Sequence, residues 1–316
     1  MTSSAHVVLG GNGVVGRETV RALLARGHTP ASVGRRPSTA DGARSVTADL
    51  LDRADATRAL RGAEVAYLVV GLPYSSRVWA ERWPVILRNT VDAALEQGTH
   101  LVYLDNVYAY GRVDGPMTED APINPSSRKG RVRAAALELL GDAAARGLAV
   151  TVGRSADFYG PGASTSVFTT FALDRIAAGR KGTWLLDADQ PHSLTYTPDI
   201  GDALAVLGTA GEARGRTWHL PTAPALTGRE YVRLAAGPGA PTAVMGPATL
   251  RIGALFNTAA RETLEMGYQY TAPYVFDSTA FETTFGVAPT PVAEGIAATL
   301  AAARPDAPPR PHLRNS

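Results

Sequence analysis

Short runs of consecutive apolar residues alternate along the first half of the chain with longer stretches of helical period. His6-Val7-Val8-Leu9 breaks into Gly10-Gly11-Asn12-Gly13-Val14-Val15-Gly16, and a helical pattern follows through Arg26. In that helix Val15, Val20, Leu23 and Leu24 share one face, Arg17, Glu18, Arg21 and Arg26 lie elsewhere, and Gly27 is the expected C-cap. A second strand is expected at Ala31–Gly34, and a third from Ser45 to Ala48 running into Asp49, with a helix to about Leu60. Val65–Val70 is a continuous apolar run stopped by Gly71 and Pro73, as a parallel strand covered on both faces requires. A helix from Val78 to Glu96, a strand at Leu101–Leu104, a helix capped by Ser126 or Ser127, and a strand at Ala149–Val152 complete the alternation.

This order predicts an α/β fold, a Rossmann-type doubly wound parallel sheet with a smaller C-terminal substrate lobe. The expected division is a dinucleotide-binding core over 1–153, a mainly substrate-binding lobe over 154–303 interleaved with it, and a flexible tail over 304–316. Later strands near 194–220, Trp218-His219-Leu220 among them, are expected to return to the core. Proline and glycine punctuate the second half, and its elements are harder to delimit.

Composition narrows the chemistry. The 316 residues carry 31 Lys plus Arg against 29 Asp plus Glu, too even a balance for an electrostatic nucleic-acid binder. There is no cysteine, which excludes thiolate nucleophiles, disulfides and Cys-based metal sites. The histidines form no HxH or HExxH spacing, so no metal site is expected, and no GxSxG elbow suggests a serine hydrolase. No run reaches the roughly 18 apolar residues of a membrane span. A soluble, cytoplasmic protein with a small-molecule substrate is expected, without nucleic-acid or membrane partners, and a homodimer is compatible with this picture.

The glycine turn is the strongest chemical signal. Between a strand and a helix, Gly10, Gly13 and Gly16 permit a tight turn, the approach of a pyrophosphate and close helix packing. The position ending the second strand reads the adenosine ribose. A carboxylate there would repel a 2′-phosphate, whereas Arg35 with Arg36 favours NADP over NAD. Asp49 suits either an adenine amino group or a helix cap. The expected cofactor contacts are Gly10, Asn12, Gly13, Val14, Val15, Gly16, Arg35, Arg36, Asp49, Leu50, Val70, Gly71 and Arg133.

Together with Ala48-Asp49-Leu50, Val107-Tyr108-Ala109-Tyr110-Gly111, Phe158-Tyr159-Gly160-Pro161-Gly162 and Thr197-Pro198-Asp199-Ile200, the glycine turn resembles the extended short-chain dehydrogenase/reductase family, of the NAD-dependent epimerase/dehydratase type. The likeness spans roughly residues 5–220 and implies a Rossmann fold, a bound NAD(P) and a C-terminal substrate lobe. The catalytic Ser, Tyr and Lys of that family fall on Asn106, Lys129 and Arg133, as in an atypical subgroup.

Lys129 and Arg133 are four residues apart on a helix, a like-charge pair that costs a few tenths of a kcal/mol unless an anion lies nearby. A cofactor ribose and nicotinamide would meet that need. Arg133 suits ribose hydroxyls but not proton donation. Lys129 is the candidate acid/base, with Tyr108 as substitute and Asn106 orienting the substrate oxygen. If the fifth strand continues, Asn106, Tyr108 and Tyr110 point to one side. Tyr108, Asp157, Phe158, Tyr159, Trp184, His192 and Tyr196 are expected around a largely apolar substrate. The resulting expectation is an NADP(H)-dependent oxidoreductase acting on a small carbonyl or hydroxyl compound. A non-redox isomerase, dehydratase or cyclase, and a non-catalytic NADP sensor, are the alternatives.

Overall fold

The computed structural model describes residues 5–303, so the expected tail at 304–316 lies outside the described residues. Strands β1 (His6–Leu9), β2 (Ala31–Gly34), β3 (Arg44–Thr47), β4 (Val65–Leu68), β5 (His100–Asn106) and β6 (Val150–Ser155) alternate with helices α1 (Val14–Ala25), α2 (Arg53–Leu60), α3 (Ser76–Gln97) and α4 (Arg128–Ala145). β7 (Asp157–Tyr159) follows β6 almost at once. Then come α5 (Asp174–Ala177), β8 (Thr183–Leu185), β9 (Pro191–His192), β10 (Leu194–Tyr196), α6 (Thr197–Thr209) and β11 (Thr217–His219). The last third holds β12 (Leu226–Thr227), α7 (Gly228–Ala236), β13 (Ala243–Met245), α8 (Pro247–Phe256), α9 (Thr258–Glu265), α10 (Thr279–Phe285) and α11 (Val292–Ala302).

The central sheet has seven strands in the order β11-β6-β5-β4-β1-β2-β3, every neighbouring pair parallel. The order reverses direction between β1 and β4, which opens the crevice where dinucleotides lie in such sheets. The wholly buried runs of β1 and β4 reflect helices on both faces. One face packs Leu9, Leu68, Trp83 and Leu140 under α2, α3 and α4, and the other packs Val8, Tyr67, Leu204 and Trp218 under α1 and α6. The second lobe has its own core around Tyr159, Phe168, Trp184 and Tyr231, with three two-stranded sheets, β10 with β7, β12 with β9 and β13 with β8.

Local chemistry explains several boundaries. Ser127 caps α4 by accepting from the Gly130 amide at 2.9 Å. Asp52 caps α2, so Asp49 is free of that duty. Arg26 is the C-cap of α1, and Gly27 follows it at φ +81°. Among the described residues no helix is long and apolar enough to cross a membrane.

Candidate functional site

The glycine turn occupies the crevice at the sheet's reversal. Gly10 has φ +96°, a backbone that L side chains rarely adopt, and a Cβ on Gly16 would run into the Gly10 carbonyl oxygen. The turn is pinned by the Gly10 and Gly11 amides, which donate to the Val33 carbonyl at 2.9 and 3.0 Å. Asn12 Nδ2 donates to the carbonyls of Arg36 at 2.8 Å and Pro37 at 3.3 Å, tying the turn to the segment that carries Arg35. Both arginine side chains are exposed and form no ion pair among the described residues. Asp49 Oδ1 accepts from the Leu51 amide at 3.1 Å, and its second carboxylate oxygen has no hydrogen-bond partner among the described residues. Leu50 is buried, while Val70 and Gly71 follow the end of β4, with the Val70 backbone against Gly10 of the turn.

The expected strand alternation at Tyr108 gives way to a tighter turn. β5 ends at Asn106, and Val107–Ala109 form a 3₁₀ turn whose first amides need a cap. Asn106 Oδ1 supplies it, accepting from the Tyr108 amide at 3.1 Å, so that oxygen is occupied by the backbone rather than by a substrate. Tyr108 faces Tyr74, their hydroxyls 3.3 Å apart, and stacks on Trp79. Burial, then the charges of Tyr74 and Asp157, raise its phenol well above the usual range. Tyr110 lies in a separate buried network, its hydroxyl 2.7 Å from His219 Nε2 and bonded to Arg154.

Lys129 and Arg133 do find anions, but protein ones. The Lys129 side chain is fully buried. Its ammonium pairs with Glu262 of α9, lies 3.3 Å from Glu265 Oε2, and sits 4.4 Å from the Tyr74 ring centroid. Glu262 also accepts from the Ser76 amide and hydroxyl at 3.0 Å each, joining α9 to the start of α3. Burial raises the Glu262 and Glu265 carboxyls, but the bonds from Lys129, Ser76 and Arg128 outweigh it and hold both below the usual range. Arg133 packs over Trp83 and Trp79, donates to the Tyr103 hydroxyl, and lies 3.8 Å from Asp105 Oδ1. Asp105 Oδ2 in turn accepts from Arg154 Nε at 3.0 Å.

Of the residues expected around the substrate, the structure brings Tyr108, Asp157 and His192 towards one place. Asp157 Oδ2 lies 3.2 Å from His192 Nε2 and accepts from the Tyr270 hydroxyl at 3.0 Å. Trp184, Tyr159 and Tyr196 belong instead to the second lobe's core, because large rings are what fill the space between its small sheets. Trp184 stacks on Tyr231 with its face against Gly228, and Tyr159 abuts Gly295. Phe158 packs on the α6 face of the first lobe's core. The side chains that do come together here, Tyr108, Asp157 and His192, are aromatic and polar.

Sequence reasoning missed Glu262, Glu265, Tyr74, Tyr268, Tyr270 and Tyr274. A compositional signal existed for the last three, since they are three of the chain's 11 tyrosines within seven residues.

The fold recurs in solved structures. A Thermus thermophilus UDP-glucose 4-epimerase in complex with NAD aligns at 21% identity and TM-score 0.76, covering 95% of this chain and 99% of that one. A Streptomyces venezuelae dTDP-glucose 4,6-dehydratase with NAD bound aligns at 20% identity and TM-score 0.77, covering 95% and 97%. A Bacillus cereus UDP-N-acetylglucosamine 4-epimerase aligns at 17% identity and TM-score 0.75, covering 99% and 100%. At these identities the likeness speaks for the fold alone. No curated protein matches the sequence. The sequence profile of the NAD-dependent epimerase/dehydratase family matches residues 6–220. With well over half of its length matched, the chain belongs to the NAD-dependent epimerase/dehydratase family.

Proposed function

We propose that this chain is an NADP(H)-dependent oxidoreductase acting on a small hydroxyl or carbonyl compound. The observation that carries the reading is the glycine cradle tied through Asn12 to the segment bearing Arg35, whose exposed guanidinium has no ion-pair partner among the described residues. The turn fits a dinucleotide because it is too tight for side chains: a Cβ at Gly10 would meet the Val70 backbone and one at Gly16 the Gly10 carbonyl, so only glycine keeps this close strand-to-helix turn. Gly10, Asn12, Gly13, Val14, Val15 and Gly16 would hold the pyrophosphate, and Arg35 and Arg36 the 2′-phosphate. Asp49, Leu50, Val70 and Gly71 would border the adenosine. The nicotinamide, when bound, supplies or accepts hydride.

The chain's own residues divide the remaining work differently from the family pattern. Lys129 is neutralised by two carboxylates, and Arg133 is held among tryptophans, so neither offers a free proton carrier. Both act from behind the site, fixing α4 against α3 and α9. Tyr108, whose hydroxyl lies 3.3 Å from that of Tyr74, is the remaining candidate for proton exchange. The burial of Lys129 also favours a second reading, a dinucleotide-binding protein without redox turnover.

Titration of NADPH and NADH by cofactor fluorescence tests the cofactor assignment. NADPH should bind about tenfold more tightly, as one charge-assisted pair allows, and the preference should vanish in Arg35→Ala. Equal affinities in the native protein would refute it. NADPH consumption with a panel of small carbonyl compounds separates the oxidoreductase from the non-catalytic reading.

A further inference from the structure

Asp157 begins β7 just beyond the carboxyl end of β6, the edge of the sheet where ligands of doubly wound folds bind. Its carboxylate is fixed from one side only. Oδ2 takes the contacts from His192 and Tyr270, and the Asp157 amide donates to the Tyr274 hydroxyl at 3.2 Å. His192, 2% exposed, is sandwiched between those two tyrosines, with centroids 4.6 and 4.3 Å away and planes within 16°. Oδ1 has no hydrogen-bond partner among the described residues, and the side chain keeps 18% exposure.

The carboxylate has no lysine or arginine within ion-pair distance among the described residues; His192 is its sole basic contact. Lys129 is committed to Glu262 and Glu265, and Arg133 and Arg154 to Asp105, while the exposed Arg112 lies over the Tyr268 ring rather than against the carboxylate. A partly buried carboxylate without a fixed counter-charge carries a desolvation cost that an arriving cation relieves. The surroundings suit a cation too. Tyr74, Tyr108 and Tyr268 all lie within the field of the Asp157 charge, which adds to burial in raising their phenols. Two of these rings already face cations, Tyr74 the Lys129 ammonium and Tyr268 the Arg112 guanidinium at 5.6 Å.

We propose that Asp157 and the tyrosines around it form a subsite for a positively charged amine or quaternary ammonium group. The substrate is then a small hydroxylated or carbonyl-bearing cation, and a nucleotide diphosphate sugar is disfavoured because its phosphates would meet an uncompensated carboxylate. This deepens the oxidoreductase reading and rests on it for the reaction, while the subsite itself is tested by binding alone.

Choline and 3,3-dimethyl-1-butanol have nearly the same shape and both carry a hydroxyl, but only choline is charged. Calorimetric titration of the full chain, with and without NADPH, should give choline at least about tenfold tighter, a ratio that cation–π contacts plus one carboxylate supply. The ratio should collapse towards one in Asp157→Asn, with NADPH affinity unchanged. Equal binding of the two isosteres by the native chain overturns the proposal and needs no variant. So do a preference that survives in Asp157→Asn, UDP-glucose binding tighter than choline, and no choline binding at roughly 10 mM, where even a millimolar Kd would register. NADPH binding without choline selectivity removes this subsite and leaves the cofactor reading. Choline selectivity without NADPH binding does the reverse.

Discussion

Replacing Lys129 by Met asks whether this residue is a structural cation or a proton carrier. The side chain is fully buried and pairs with Glu262 and Glu265 of α9, with a third contact to the Glu262 carbonyl at 3.3 Å. Removing one member of a buried ion pair costs about 3–5 kcal/mol, because the partner charge stays behind without compensation. Here the lower end applies. Glu262 keeps its two bonds from Ser76, Glu265 keeps Arg128, and Met fills the volume against the Tyr74 ring. A loss near 3 kcal/mol is a large part of the roughly 5–15 kcal/mol that holds a domain folded. At about 2–4 °C per kcal/mol it lowers Tm by roughly 6–12 °C. Scanning calorimetry and urea unfolding of Lys129→Met, Glu262→Gln and the double variant measure this, and the double variant should recover part of the loss because it leaves no bare charge. A stable Lys129→Met protein, within about 1 kcal/mol of the native chain, that had lost turnover would refute the reasoning and return Lys129 to the chemistry.

Asp105→Asn should destabilise the chain by about 3 kcal/mol, read by urea unfolding, since Arg133 and Arg154 would share a buried neutral amide. Gly16→Ala should weaken NADPH binding at least about tenfold in a fluorescence titration, because its methyl must displace the Gly10 carbonyl that shapes the cradle. Acid should unfold the protein early. Burial pulls His6 and His100 down to about 4 and His219 to about 3, so each stabilises the fold fully above pH 6.5 and progressively less as pH falls towards its folded value. Roughly 1–2 kcal/mol per histidine should be lost between pH 7 and pH 5, and a flat Tm over that range would contradict the buried neutral rings.

The alternating half of the chain was legible because its signals are local. Val65–Val70 reads as a doubly covered strand from its own residues, and β4 buries Ala66 and Leu68 in the core on one face and Val65 and Tyr67 in the core on the other. The turn from Gly10 to Gly16 needs no distant partner to be recognised. Trp218 was placed beside the core from sequence, and β11 pairs with β6. The site's wiring was not legible, because its bonds span the chain. Lys129 meets the Glu262 carbonyl across 133 residues and Asp157 meets Tyr270 across 113. Periodicity carries no information at such separations. Trp184 was misplaced for a related reason, since an aromatic residue in an irregular loop looks the same whether it lines a cleft or fills a small lobe's core.

Lys129 and Arg133 of α4 are held by two different parts of the protein, Lys129 by α9 and Arg133 by β5 and α3. A lysine buried at position 129 requires carboxylates, and α9 supplies them in Glu262 and Glu265 while Ser76 fixes the first from α3. An arginine at position 133 needs both an acid and a flat surface, and it has Asp105 with Trp79 and Trp83. Each cation thereby has a protein counter-charge, although Arg133 Nε keeps no hydrogen-bond partner among the described residues, and at the carboxyl edge of β6 Asp157 Oδ1 also has none. On the proposed reading, recognition of the substrate's charge lies at the carboxyl edge of β6. Variants at Lys129 should then change Tm more than substrate affinity, and variants at Asp157 should do the opposite. Equal effects of both on affinity, with no effect on Tm, would place the chemistry back on α4.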